Sequence, residues 1–294
     1  MAIIIEDALA KRSSGTLSKQ GSQLTVGGLE RALSALYPPQ DAEEWDRTGL
    51  LVGDPAVPVR GVAVALDPTV EAVRAAAKAE CNVLLTHHPA FLEPIDSFHP
   101  ADSVAQDAGA LVWAAIREGV ALMNFHTALD VSADAQRMLP GMLSLRFVHV
   151  LEPLAGDPAK GYGQVCAVGE SDGALTLAQL AARCTSVFGR QPRVWGDFSR
   201  PLSRIVTTTG SAGGLGRTCL SQRVDCLVAG EVKYHEALAL AEAGLAIIDL
   251  GHDVSELPFA AVLAAACRRV GVAEDDIKVL DQSDNWTLPE SMRM

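Results

Sequence analysis

Residues 61 to 90 hold the stretch that most constrains the fold: GVAVAL, then DPTVEAVRAAAKAE, then CNVLLTHHPA. A short β-branched run, a longer Ala-rich run and a second apolar run spell a β-α-β unit. Its two strands must lie parallel and be joined by a right-handed crossover. Asp67-Pro68 is expected to open the helix, with Asp67 as N-cap and Pro68 at the first helical position. The chain is therefore read as α/β. Its composition agrees, since 5% aromatic residues and 25 glycines fit an Ala/Val/Leu/Gly economy better than an aromatic-rich sandwich.

The period recurs along the chain. Ser103 is placed to cap a helix reaching about Glu118, and a strand over 120–125 ends on His126. In the second half, 175–189 reads as helix, 204–210 and 226–231 as strands, 234–244 as helix, and 245–251 as a strand that ends on His252. A last helix is expected over about 256–270, where Phe259, Val262 and Leu263 can pack on their own sheet or on a neighbouring copy. Residues 1–23, rich in Ser, Gly, Lys and Gln from residue 11, read as a flexible leader without a signal-peptide core, and 287–294 as a polar tail. The longest uncharged apolar run, 259–267, is too short to span a bilayer. A net charge of −12 with no sizeable basic cluster argues against nucleic-acid or anionic-membrane partners. The six cysteines form no C-x-x-C pair and sit mostly in apolar runs, so reduced, buried thiols in a cytoplasmic protein are expected.

In open parallel sheets, ligands bind beyond the carboxyl ends of the strands. His87 and His88, His126, and His252 all occupy such ends, and two of these positions carry a carboxylate four residues on: Asp130 in HTALD and Glu256 in HDVSE. Imidazole and carboxylate suit divalent Zn, Fe, Mn, Co or Ni. Six candidate ligands exceed one tetrahedral site and fit two ions better. Adjacent histidines on an extended chain point to opposite sides, so each can serve a different ion with Asp130 or Glu256 bridging. His99 and His149 lack this context and are read as ordinary histidines.

The stretches WDRTGLLVGDP, LLTHHPAFLEPI, FHTALD and AGEVKYHEALALAEAGLAIIDLGHDVSE, in this order, resemble the NGG-one-interacting-factor-three-like family, whose members are also called GTP cyclohydrolase type 2 homologues. The resemblance spans about residues 24 to 286. It implies a two-lobed α/β fold with sheets flanked by helices, here divided at 24–150 and 151–286, with the metal site at strand carboxyl ends between the lobes. It also implies a dinuclear centre of His87, His88, Asp130, His252 and Glu256, with His126 beside it, and assembly as a toroidal homohexamer. The chain departs from the family pattern at Arg47, where Asn is usual, in VSADAQRML behind Asp130, and at Asp253 after Gly-His.

Two divalent ions held this way suit metal-assisted hydrolysis, of a nucleotide-like or cyclic amide small molecule. His126 and His235 are the candidate proton-transfer residues, and His235 can equally support a ligand through a hydrogen bond. Asp46 has the same alternatives, support for the site or a turn residue after Trp45. Gly210–Gly216 matches neither nucleotide-binding glycine pattern and reads as a tight turn. No G-x-S-x-G elbow is present, and no cysteine adjoins a histidine cluster. The competing reading is a non-catalytic metal-binding scaffold or oligomeric adaptor, distinguished by a closed rather than open coordination shell.

Overall fold

A computed structural model describes residues 24–100, 107–169 and 173–286. The leader, Ser103 and the 287–294 tail lie outside the described residues. Among the described residues the fold is built on two helix-flanked sheets, with a two-stranded ribbon of Leu175–Thr176 and Pro201–Leu202 in addition. The first has five strands in the order Gly49–Val52, Ala121–Asn124, Val83–Thr86, Val62–Ala65 and Ile277–Val279, all parallel except Gly49–Val52. The second has six, in the order Arg146–Leu154, Asp157–Ala167, Arg204–Thr207, Cys226–Ala229, Ala246–Asp249 and Arg193–Trp195. Its three central strands run parallel, with antiparallel strands on either side.

Strand periodicity explains how each sheet is covered twice. Val62, Val64, Val83 and Leu85 enter one core with the helices Val26–Ser34 and Phe259–Arg269. Ala63, Ala65 and Leu84 face the helices Val70–Lys78 and Ala108–Glu118 on the other side. Such alternation, buried on both faces, is what a parallel sheet requires. In the second sheet Cys226 and Val228 pack with Leu177–Phe188, while Leu227 and Ala229 pack with Leu215–Ser221 and Tyr234–Glu242. All six cysteines are buried and unpaired. Among the described residues no helix is long and apolar enough to cross a membrane.

Several expectations are corrected here. Thr69, not Asp67, caps the helix Val70–Lys78, accepting from the Ala72 amide at 3.0 Å, which frees Asp67 for another partner. The helix Ala108–Glu118 is capped by Asp107. The last helical region is split at Pro258 into the turn-and-a-half His252–Glu256 and the helix Phe259–Arg269. Phe259 and Leu263 are fully buried against the first sheet of their own chain. The chain end, assigned from sequence to the second lobe, likewise returns to the first: Ile277–Val279 pairs with Val62–Val64.

Candidate metal centre

Carboxyl ends of strands from both sheets converge. The turn after Val83–Thr86 is held by the Thr86 hydroxyl, which donates to the His88 carbonyl at 2.7 Å, and by the His88 amide, which donates to Leu66 O at 3.0 Å. The two imidazoles then diverge, with ring centres 5.0 Å apart. His87, completely buried, has Nδ1 3.1 Å from the Phe125 carbonyl. Nδ1 is therefore the protonated nitrogen in the neutral ring, and Nε2 presents a lone pair. His88 has Nδ1 2.7 Å from Asp67 Oδ1.

Glu256 joins two groups. Its Oε2 lies 3.0 Å from His88 Nε2 and 3.1 Å from His252 Nε2; its Oε1 lies 3.6 Å from His87 Nε2, which is also 3.6 Å from Asp130 Oδ1. One group is thus His87, Asp130 and Glu256, the other His88, His252 and Glu256, each within reach of a single ion. A third possible group, His87, His88 and His126, overlaps them. His87 Nε2 and Asp130 Oδ1 are buried with no hydrogen-bond partner. Buried polar atoms are rarely left so, and two orphaned lone-pair donors facing each other fit a cation held between them. Gly210 lines the same space: a Cβ there would come 2.2 Å from Glu256 Oε1.

The charges reflect this crowding. Burial opposes ionisation of Glu256, but the hydrogen bonds it shares with His252 and His88, with the His87 ring alongside, hold its carboxyl well below the usual range. Burial likewise opposes a charged His88, and the carboxylates of Asp67 and Glu256 overcome it, raising the pKa to about 10. The hydrogen bond to Glu256 raises His252 to about 9. Asp130 is pushed up to about 7, chiefly by burial, which outweighs the attraction of His87, with a smaller push from the Glu256 carboxylate.

His126 stands beside the groups, with Nδ1 2.9 Å from Asp46 Oδ1, while the other oxygen of Asp46 accepts from the Thr127 amide at 3.0 Å. Asp46 is thus an orienting partner of His126. His235 is not brought to the cluster: it is exposed at the start of Tyr234–Glu242, packed on the Tyr234 ring. Asp67 and Glu231, the latter 3.2 Å from His252 Nδ1, are the supporting carboxylates that sequence reasoning missed. Both follow strands whose carboxyl ends face the histidines, but that placement alone does not tell a supporting carboxylate from a capping or exposed one. His126 and His252 line two cavities, one of about 500 Å³ walled by Trp45, Tyr162, Thr208 and Gly214, the other of about 770 Å³ walled by Phe91, Leu92 and Ile95.

A two-lobed α/β protein with a histidine and carboxylate cluster at converging strand ends is the class these features define. The model of the Duf34/NIF3 (NGG1p interacting factor 3) family matches residues 24–285, and the chain belongs to that family. The GTP cyclohydrolase 1 type 2 homolog of Streptomyces coelicolor is 31% identical over 241 residues, covering 80% of this chain and 82% of that one. GTP cyclohydrolase 1 type 2 of Helicobacter pylori is 26% identical over 233 residues, covering 79% and 87%. Among solved structures, Staphylococcus aureus hypothetical protein SA1388 matches with a TM-score of 0.80 over 91% of this chain and 100% of that one, at 23% identity. The Bacillus cereus protein related to NIF3 matches with a TM-score of 0.77 over 88% and 98%, at 18% identity. At these identities the solved structures establish a shared fold.

Proposed function

We propose that the protein holds two divalent transition-metal ions and is a metal-dependent hydrolase of a nucleotide-like or cyclic amide small molecule. The observation that carries the reading is the paired orphaned donors, His87 Nε2 and Asp130 Oδ1, beside a carboxylate whose other oxygen meets His88 and His252. His87 and Asp130 would hold one ion, His88 and His252 the other, with Glu256 bridging. When bound, such a pair polarises a carbonyl or phosphoryl oxygen and acidifies water. The protein's own residues do the rest. Asp46 fixes the His126 ring, which lines both cavities and is the candidate proton-transfer group; Asp67 and Glu231 fix the rings of His88 and His252. The names of the Streptomyces and Helicobacter relatives support a nucleotide as substrate. Family resemblance supports a homohexamer, and the buried free thiols fit a reducing compartment such as the cytoplasm.

The test is elemental analysis of protein purified without chelators and reconstituted with Zn, Mn, Fe, Co and Ni in turn, followed by incubation with GTP and with hydantoin and mass analysis of products. About two ions per chain and ring opening of one probe are expected. Trace metal after reconstitution overturns the dinuclear reading. Two ions with both probes intact overturns the hydrolase reading for these substrates and favours a non-catalytic scaffold. Light scattering at micromolar concentration checks the oligomer, and the mass of a single chain rejects it.

A further inference from the structure

The last described residues touch the segments that carry and orient His88 and His252. Beyond the strand Ile277–Val279 the Leu280 amide still donates to Val64 O at 2.8 Å, and the ladder is then continued by a side chain. Gln282, only 7% exposed, accepts from the Leu66 and Asp67 amides through Oε1, both at 2.9 Å, and donates from Nε2 to Asp67 O at 3.0 Å. Three hydrogen bonds thus fix the backbone at Asp67, as a paired strand residue would. Asn285 Nδ2 donates to Asp67 Oδ2 at 3.3 Å, leaving Oδ1 for His88 Nδ1. One residue further on, the Trp286 indole donates to Asp253 Oδ2 at 2.9 Å. The Arg190 guanidinium stacks on that indole at 4.0 Å and donates to the same oxygen at 2.9 Å. Asp253 belongs to the short helix that carries His252 and Glu256.

We propose that residues 280–286 form a clasp that positions one half of the metal centre, with Gln282 and Asn285 setting Asp67, and through it His88, while Trp286 holds the His252–Glu256 helix by Asp253. The inference rests on the dinuclear reading given above. Its content is an asymmetry. His87 is anchored by the Phe125 carbonyl in the core and Asp130 follows a different strand, so neither is touched by the clasp. His88 and His252 both depend on it. Carboxylates that orient a metal-binding imidazole typically affect affinity about 10- to 100-fold when lost, and the clasp acts one bond further out. The Asp253 that departs from the family pattern has, on this account, a defined partner in Trp286.

The experiment is zinc titration calorimetry on the metal-free full chain, comparing wild type with Gln282→Leu, Gln282→Glu, the exposed pair Asn285→Ala/Trp286→Ala, and Glu118→Ala, exposed at the end of the helix Ala108–Glu118, as control. Gln282→Leu, which acts on His88 through Asp67 alone, is expected to weaken one zinc equivalent about 10-fold or more and leave the other unchanged, and the double variant, which also frees the helix of the bridging Glu256, to weaken that equivalent more than the other. Gln282→Glu keeps the two accepting contacts and should recover most of that loss. Nitrogen-15 imidazole spectra of the metal-free protein supply a reading that does not depend on metal: the His88 Nδ1–H signal bonded to Asp67 should shift in the clasp variants and hold in the control. Unchanged affinity for both equivalents, or equal weakening of both, overturns the clasp. If wild type takes up no zinc, the dinuclear reading fails, and the clasp is then decided by the His88 signal, whose constancy in Gln282→Leu refutes it.

Discussion

Gly210→Ala tests the site's geometry most sharply, because the obstruction is measurable. Gly210 follows the strand Arg204–Thr207 at φ +56°, with its amide donating to Ser255 Oγ at 2.9 Å. A Cβ there would lie 2.2 Å from Glu256 Oε1 and 3.1 Å from its Cδ. Glu256 cannot step aside cheaply: it is 4% exposed and tied to His88 and His252 at 3.0 and 3.1 Å. The left-handed backbone costs a non-glycine residue about 1–2 kcal/mol. Overpacking against a buried group costs about 1–3 kcal/mol more. Together the loss is roughly 2–5 kcal/mol, which at about 2–4 °C per kcal/mol lowers the melting temperature by roughly 4–20 °C. Gly213→Ala is the matched control, since φ is +51° there and nothing lies within 4 Å of the added carbon. It should show the backbone part alone, about 1–2 kcal/mol. Calorimetry of the metal-free variants measures both, and zinc titration should show weakened binding only in Gly210→Ala, where Glu256 is displaced. The reasoning is refuted if Gly210→Ala matches Gly213→Ala in stability and binds zinc like wild type.

Glu256→Gln keeps the size of the bridging residue but removes its charge, so at least one ion should bind at least about 10-fold more weakly; Glu118→Gln, exposed on a distant helix, is the control, and equal zinc affinity for the two variants speaks against bridging. Zinc binding should strengthen as pH rises. His88, His252 and Asp130 are raised to about 10, 9 and 7 in the metal-free protein, so below those values an ion must displace their protons, and the competition fades as pH climbs through the range from 7 to 10. Calorimetry in buffers of different ionisation enthalpy reads the released protons, and binding without proton release at pH 7 contradicts this. Asp46→Asn should leave two zinc equivalents in place while slowing turnover about 10- to 100-fold through misorientation of His126; a loss of metal instead would make His126 a ligand.

The histidine-bearing strand ends, two of which show it most plainly, were legible because their signals are local. Val83–Thr86 and Ala246–Asp249 are continuous apolar runs, and the polar residue that ends each run sits at the strand's carboxyl end whatever the rest of the chain does. The hairpin Arg146–Leu154 and Asp157–Ala167 escaped because Pro153, Pro158 and two glycines interrupt its pattern, and Ile277–Val279 because three residues acquire strand character only when paired with Val62–Val64. His235 misled for a related reason. It lies soon after a strand end, but it opens a helix and its side chain faces solvent, so closeness in sequence carried no information about direction.

Asp67 marks the deeper limit. Asp-Pro after a strand is a valid capping signal, and nothing local separates that role from one in which the carboxylate turns away to His88. The choice is made by Thr69, two residues later, which takes the cap, and by Gln282 and Asn285, 215 or more residues away, which hold Asp67 in place. Ligands are set by strand ends and can be read along the chain; the residues that aim them are recruited by tertiary packing and cannot. This difference implies that exchanging Asp67 for Asn should leave the helix Val70–Lys78 intact, because Thr69 caps it, and should alter His88 alone. Unchanged helicity with a shifted His88 imidazole signal is the expected result, and a frayed helix with His88 unaffected would restore Asp67 to the capping role.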